Sequence, residues 1–445
     1  MLKYEWIYIK LRTQIQTGTL QAGAKLPSIR KLSQQFSCSK STILTSLRKL
    51  EDQHLIYALP KSGYYVIDHQ LPIQPQKKDY IDFATSSPNW YAFPYKDFQH
   101  CINKAIDTYQ EDLFRYGTPK GLPSLITEAK KLLTNYQLFT KAENIFITSG
   151  VQQALSLLSI MPFPNGRSTI LVEQPSYHLY MDYIKTYGLP AIGIKRTTNG
   201  IDLEELESIF SAHNIKFFYT MPRLHNPLGT SYNKKEKDAI RKLAYKYDVY
   251  IVEDDYLADF EQDLKVDPIF TDDTEDHVID LKSFSKIMFP GLRIGLAVLP
   301  DILIQTFQQY KNTTDIDSSM ISQAALELYL KSGMFERYQR QVSEAYASRA
   351  KILQQSITIH LAKYRASAEI CMHSHLVLPR QVNTQKLIQH LTQHNIYLDT
   401  IKRNYLDAFD HERILKLNVS NVEESMIDIG IKEIALALHN TSNYF

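Results

Sequence analysis

The sequence predicts an α/β protein: a small helical head ending in a β-hairpin, followed by a large domain on a mostly parallel sheet. Three observations carry this. Residues 1–68 show three helical periods and then two short apolar runs about a turn. From residue 81 onward, apolar strand-like runs alternate with helical patterns. Between them, HQLPIQPQKKDY at 69–80 has two prolines, three glutamines and two lysines without an apolar period, and reads as an extended connector. The expected units are 1–68, the linker 69–80, and 81–445 with a small subdomain at roughly 335–445.

At 445 residues the chain exceeds what one core usually supports, and 44% hydrophobic residues can fill more than one. No apolar run reaches the ~18 residues of a membrane span, and the start, MLKYEWIYIKLR, is amphipathic, so a soluble cytoplasmic protein with no membrane partner is expected. Cys38, Cys101 and Cys371 are far apart and odd in number, which suits a reducing compartment. No HExxH occurs, and His373 and His375 read as one face of a strand; no metal site is expected. The acidic stretch Asp272 to Asp276 reads as a solvated loop. Overall charge is near balance, but residues 1–68 hold ten Lys and Arg against four Asp and Glu. That local excess suits a DNA phosphate backbone.

In the head, Ile7, Leu11 and Ile15 recur every four positions between Trp6 and Gln16, and Gly18 closes a first helix. In LPSIRKLSQQF, Ser28 caps a short second helix with Ile29, Leu32 and Phe36 on one stripe. A third, SKSTILTSLRKLEDQHL, turns Ile43, Leu47 and Leu50 inward while Ser39, Lys40, Ser41 and Thr42 crowd its first turn. Small hydroxyls and a cation there suit a recognition helix approaching phosphates and base edges; an ordinary N-cap cluster is the alternative. IYALPKSGYYVI then reads as a hairpin with a basic tip, and a hairpin after three helices makes a winged helix.

These residues resemble the GntR family of regulators, which carry G-x-L-x-x-G-x-x-LPS-x-R, S-x-x-T and a G-Y wing; here they are GTLQAGAKLPSIR, SKST and SGYYV. The resemblance covers nearly the whole head. It implies that Arg30 and Lys40 contact phosphates or bases, that Ser39, Ser41 and Thr42 lie along the groove, and that Lys61 and Gly63 form the wing. The family often has a basic residue two positions after the threonine, where this chain has Leu44.

In the large domain, NIFITSG, TILVEQ, KFFYTMP, VYIVEDDY, HVIDLKSFSK and LRIGLAVL are the strand candidates, with polar signals just after the apolar runs, where open α/β sheets bind ligands. The tips EDDY and SFSK can meet in one pocket. A lysine after a buried strand, flanked by Ser283 and Ser285 with Arg293 beyond, suits a Schiff-base cofactor with a phosphate arm. Lys286 is then the imine nitrogen, and the serines and Arg293 hold the phosphate. Asp254 keeps a pyridine nitrogen protonated. Asn226 and Tyr256 donate to the ring's phenolic oxygen. EDDY alone could equally be an acidic metal loop.

The order TSGVQQA, EQPSY, HNPLG, EDDY, SFSK and GLRIG resembles the fold-type I aminotransferases over roughly residues 81–440. That resemblance implies pyridoxal 5'-phosphate held as an internal aldimine by Lys286, with Gly150, Val151 and Gln152 meeting its phosphate at a helix N-terminus. It places Tyr177 on the ring face and sends Tyr116, in YGTPKG, to the cofactor of a neighbouring subunit, which makes the protein a homodimer. The arginine that grips a ligand carboxylate in this family is replaced by Lys416 in LKLNVS. Either the carboxylate is held more loosely, Arg413 substitutes, or the ligand is not a standard amino acid. Leu179 stands where related regulators can carry a second arginine.

A GntR-type head fused to an aminotransferase-type domain resembles the MocR/GabR class of regulators. The resemblance implies a double-stranded DNA operator as partner and a small amine, amino acid or the cofactor itself as the signal. Catalytic aminotransferase activity with a fused head is the alternative, and a cofactor acting only as a dimerisation core is a third.

Overall fold

The structure is a computed structural model that describes the chain except residues 1, 22, 53–54, 60–61, 68–78, 87, 89–92, 262–265 and 443–445. Most of the expected linker, and Lys61 at the wing tip, lie outside the described residues.

The head's three helices are Lys3–Gln16, Ile29–Gln35 and Lys40–Asp52. The first begins a turn before the expected start because the Glu5 carboxylate accepts from the Leu2 N–H at 3.2 Å. Ser28 Oγ accepts from the Lys31 N–H at 3.3 Å and caps the second. Ile7, Leu32, Ile43, Leu47 and Leu50 have no exposed surface and form a core of their own. Ser46 ties the third helix to the first by donating to Tyr4 O at 2.9 Å. The strands Ile56–Leu59 and Gly63–Val66 pair antiparallel from Ile56↔Val66 to Leu59↔Gly63, completing the winged helix.

The body is built on an eight-stranded sheet in the order Ile145–Thr148, Gly295–Val298, Val278–Ser283, Tyr250–Asp254, Ile215–Thr220, Thr169–Gln174, Ala191–Thr197, Gly200–Ile201. The strands from Val278–Ser283 to Ala191–Thr197 are parallel. Gly295–Val298 runs antiparallel to both neighbours. Its connection from Val278–Ser283 has only a short 3-10 turn, Pro290–Leu292, and an antiparallel return needs no crossover helix. The central strands are buried on both faces: Phe217 and Tyr219 pack into one apolar cluster and Phe218 into the other, the period of two that a covered sheet requires.

A three-stranded antiparallel sheet of Arg365–Ala366, His373–Val377 and Ile414–Asn418 accompanies the long helices Met334–His360 and Glu424–Ser442. Ile81–Asp82 pairs in parallel with Ile396–Tyr397, so the first residues of the body join these C-terminal elements rather than the large sheet. A two-residue strand leaves no periodic signal in sequence. The hairpin also touches the body, where Tyr57 Oη lies 3.0 Å from His100 Nδ1 on the helix Tyr95–Tyr109.

Among the described residues no helix is long and apolar enough to cross a membrane, and no group of three or more His, Cys, Asp or Glu could hold a metal. His373 and His375 are both buried on one strand; His375 Nδ1 contacts Leu228 O and His373 Nδ1 contacts the Asn418 amide.

Candidate functional site

The strand ends carrying EDDY and SFSK are neighbours: Asp254 is in register with Leu281, two residues before Ser283. They open into a cavity of about 200 Å³ lined by Gly150, Val151, Gln152, Tyr177, Leu179, Met221, Asn226, Asp254, Tyr256, Ser283, Ser285, Lys286, Pro290 and Arg293. Segments from six parts of the chain thus converge on one space.

Strand alternation selects which carboxylate of EDDY faces it. Glu253 points to the other side and accepts from the Ile269 and Phe270 N–H groups, both at 3.0 Å. Asp255 pairs with Arg223. The three carboxylates therefore do not converge as a metal loop would require. Asp254 is 3% exposed, and its Oδ2 accepts from Tyr219 Oη at 2.7 Å. Its Oδ1 is buried without a hydrogen-bond partner. An unpartnered buried oxygen is costly, and a ring N–H aimed at it would satisfy it. Burial lifts Asp254 to about 7, against the Tyr219 hydrogen bond.

This has a sign. A carboxyl raised from 3.8 to about 7 binds its proton more tightly in the folded chain, so the cofactor-free protein loses stability as pH rises from 3.8 through about 7. Asp254→Asn removes that slope. Thermal midpoints of both cofactor-free proteins at about pH 5 and about pH 8 check this, and equal slopes would refute it.

Lys286 is half-buried, and burial holds its amine down to about 8. Its Nζ donates to Ser86 O and, at 2.9 Å, to Ser86 Oγ. Opposite lies a cradle for an anion. Gly150, at φ +83°, caps the helix Val151–Ile160, and a Cβ there would meet Arg293 Nη2 at 3.0 Å. Arg293 donates to Ser149 O at 2.8 Å, so its guanidinium stands beside the free N–H groups of that helix's first turn. Ser283 Oγ accepts from the Ser285 N–H at 3.1 Å, fixing the turn that presents both hydroxyls.

The expected residues Tyr256, Tyr116, Lys416 and Arg413 do not all face the cavity. Tyr256 Oη donates to Leu224 O at 2.9 Å, so its proton is directed away from the role expected for it. Tyr116 is 85% exposed and outside its own chain's cavity. Lys416 does not line the cavity: its Nζ pairs with Asp399 at 2.6 Å and donates to Asn404 Oδ1 at 3.2 Å. Arg413 is turned away to the carbonyls of Arg380 and Val382, which corrects the expectation that it could substitute.

Sequence reasoning missed the support beneath the pocket. Glu173, fully buried, accepts from Arg196 Nη1 at 2.6 Å, Thr220 Oγ1 at 2.8 Å, the Met221 N–H at 2.9 Å and Tyr232 Oη. His225 Nε2 lies 3.4 Å from it. Arg196 also donates to Met221 O and Thr230 O, both at 3.1 Å, so one charge pair grips both ends of the loop that presents Asn226. The signal was adjacency: Glu173 opens EQPSY and His225 opens HNPLG.

On the head, Arg30 and Lys40 are exposed near the starts of the second and third helices, beside exposed Ser39 and Ser41 and half-buried Thr42. Ser39 Oγ accepts from the Thr42 N–H at 3.1 Å and contacts Ser41 Oγ at 2.7 Å and Thr42 Oγ1 at 2.8 Å. Ser39 is thus a helix cap, whatever else it touches. Gly63, at φ +115°, begins the second wing strand.

The family described as aminotransferase class I and II matches residues 81–434, and that of bacterial regulatory proteins, gntR family, matches residues 3–66. The chain is 50% identical to the HTH-type transcriptional regulator YcxD of Bacillus subtilis, over 97% of this chain and 99% of that one. It is 24% identical to the probable rhizopine catabolism regulatory protein MocR of Rhizobium meliloti, over 80% and 78% of the two chains. Among solved structures it is similar to kynurenine aminotransferase of Pyrococcus horikoshii, with a TM-score of 0.74 and 25% identity over 82% of this chain and 92% of that one.

Proposed function

Because the chain belongs to the aminotransferase class I and II family and, with its gntR-family head, is a transcription regulator of MocR/GabR architecture, we propose that it binds pyridoxal 5'-phosphate and senses a small amine, amino acid or the cofactor itself. The observation that carries this is the convergence of Lys286, the unpartnered Asp254 Oδ1 and the Gly150–Arg293 cradle on one cavity. When bound, the cofactor supplies a carbonyl carbon that can exchange one amine for another and a ring that draws electrons. Lys286 Nζ holds it covalently. Asp254 Oδ1 accepts the ring N–H and keeps the proton there. The Gly150 turn presents the amides of Val151 and Gln152, which with Ser283, Ser285 and Arg293 hold the phosphate, while the Gly150 amide itself donates to Thr148 O at 2.8 Å. Tyr177 would cover the ring face, and Asn226 would face the phenolic oxygen. In a homodimer the exposed Tyr116 reaches the cofactor of the second copy.

The pairing of Lys416 with Asp399 supports sensing over turnover, since a ligand carboxylate must compete with Asp399 for that ammonium. A signal shifts the heads only by binding one arrangement better than the other. On DNA, Arg30 and Lys40 anchor phosphates, with Ser41 and Thr42 along the groove and Lys61 and Gly63 at the wing.

Fluorescence anisotropy on a fragment of the protein's own promoter tests this. Arg30→Ala and Lys40→Ala each weaken binding about tenfold and lower the magnitude of the salt slope by roughly 0.9, with cofactor absorbance unchanged. Wild-type affinity in both variants, or loss of absorbance along with DNA binding, would overturn the assignment. A panel of amines and amino acids, read by cofactor absorbance, identifies the signal.

A further inference from the structure

Ser86 belongs to no motif, yet it receives the pocket's lysine: Lys286 Nζ donates to its carbonyl oxygen and, at 2.9 Å, to its Oγ. Ser86 ends a segment in which every second residue, Ile81, Phe83 and Thr85, is fastened to the C-terminal elements. The Ile81 N–H donates to Asn395 O at 2.8 Å, the Phe83 N–H to Tyr397 O at 3.0 Å, and the Asn418 N–H to Phe83 O at 3.0 Å. Ser420 Oγ donates to Thr85 O at 3.1 Å. Phe83 is 1% exposed and lies so close to Gly430 that a Cβ there would come within 2.6 Å of its ring. Asp82 Oδ1 accepts from the Ala84 and Thr85 N–H groups, both at 2.9 Å, which locks the turn between strand and pocket. A pull on Ser86 is therefore transmitted to Ile81 or must break these bonds.

Both connections of the head flank this segment. Before it, Tyr80 ends the expected linker. After it, the chain runs to the helix Tyr95–Tyr109, whose His100 meets Tyr57 of the hairpin, with ring centroids 3.9 Å apart. Lys286 stands instead at the end of a large-sheet strand. Its contact with Ser86 bridges the large sheet to the segment that follows the expected linker in sequence.

We propose that Ser86 is the positioning residue through which the state of Lys286 reaches the DNA-binding head. The proposal rests on covalent attachment of the cofactor at Lys286. While Nζ is bound to carbon it lacks the ammonium hydrogens that hold Ser86. When an amine displaces it, the carbon–Nζ bond breaks, a bond from that carbon to the incoming nitrogen forms, and the two protons of the incoming amine pass to Nζ. No oxidant or reductant is needed. The freed lysine takes up a further proton from solvent at neutral pH and grips both Ser86 oxygens. The two states of the lysine thus differ by charge-assisted hydrogen bonds to one segment, the differential contact that a ligand-driven shift requires.

The test uses full-length protein loaded with pyridoxal phosphate and hydroxylamine as the probe, because it displaces Nζ whatever the natural signal. Amide hydrogen exchange across residues 81–86, affinity for the promoter fragment and the visible spectrum are read together. In wild type, hydroxylamine raises protection of residues 81–86 and shifts DNA affinity about fivefold. Borohydride reduction, which makes the Nζ–carbon bond permanent, abolishes both responses. Ser86→Ala, which keeps the backbone acceptor, lowers the affinity shift to about twofold. Ser420→Ala, which frees Thr85 without touching Lys286, keeps the spectral response and loses the transmitted one. A normal spectral change with no change in exchange in wild type, or wild-type downstream responses in both variants, overturns the relay and leaves the proposed function standing. Absence of any visible cofactor band in wild type overturns the cofactor reading itself.

Discussion

Lys286→Ala protein, mixed with pyridoxal phosphate, shows none of the visible absorbance that wild type gains, and borohydride reduction leaves no added mass on the chain. The expectation is complete loss because the cavity's described lining contains no second amine. Arg293 carries a guanidinium rather than a primary amine and does not form the bond. Lys282, four residues earlier, is no substitute, because alternation along Val278–Ser283 turns it to the opposite side. There it is 1% exposed, pairs with Asp259 at 2.6 Å and lies over the Tyr136 ring at 4.4 Å. Lys286→Arg separates charge from chemistry: it keeps a cation near Ser86 yet also lacks the band. A persistent band in either variant would assign the imine nitrogen elsewhere.

Glu173→Ala is expected to be the most destabilising single change near the pocket, costing about 3–5 kcal/mol, because it leaves the buried Arg196 guanidinium without its counter-charge. Arg196 has no exposed side-chain surface in the pair, and its guanidinium carbon lies 3.7 Å from the Tyr232 ring centroid, so water cannot replace the carboxylate. Burial alone would raise the Glu173 carboxyl, but Arg196, His225 and Tyr232 hold it well below the usual range. Its contribution is therefore present above the ordinary carboxylate pKa and is lost as pH falls through the lower folded value. Calorimetry near neutral pH should show the body's transition at a clearly lower temperature, with weaker cofactor retention because both ends of the Asn226 loop are released. Paired replacement by Glu173→Leu and Arg196→Met should cost less than Glu173→Ala, since no buried charge is then orphaned. An unchanged midpoint for Glu173→Ala would show that the network contributes nothing.

The parts of the site legible in sequence share a property: each is the end of a periodic element. Asp254 and Lys286 follow buried strands, Gly150 and Gln152 open a helix, and Arg30 and Lys40 stand near helix starts, so hydrophobic period and capping locate them. The residues that were misplaced or missed depend on contacts across long stretches of chain. Arg413 looked available because its neighbours in sequence do not reveal the carbonyls of Arg380 and Val382. Nothing in LKLNVS reveals that Asp399 and Asn404 fold against Lys416. Glu173 read as the end of a strand, whereas its partners come from residues 196 to 232.

The winged head, the strand-and-helix alternation, the family resemblance and the placing of Lys286 and Asp254 after buried strands are legible in the sequence alone. These follow from local periodicity and short motifs, which every folded arrangement of the chain must respect. Long-range packing alone leaves the Asp254 Oδ1 without a partner, pairs Lys416 with Asp399, and brings Ser86 to Lys286. Those outcomes depend on the register between strands distant in sequence and on which side chain wins each buried partner.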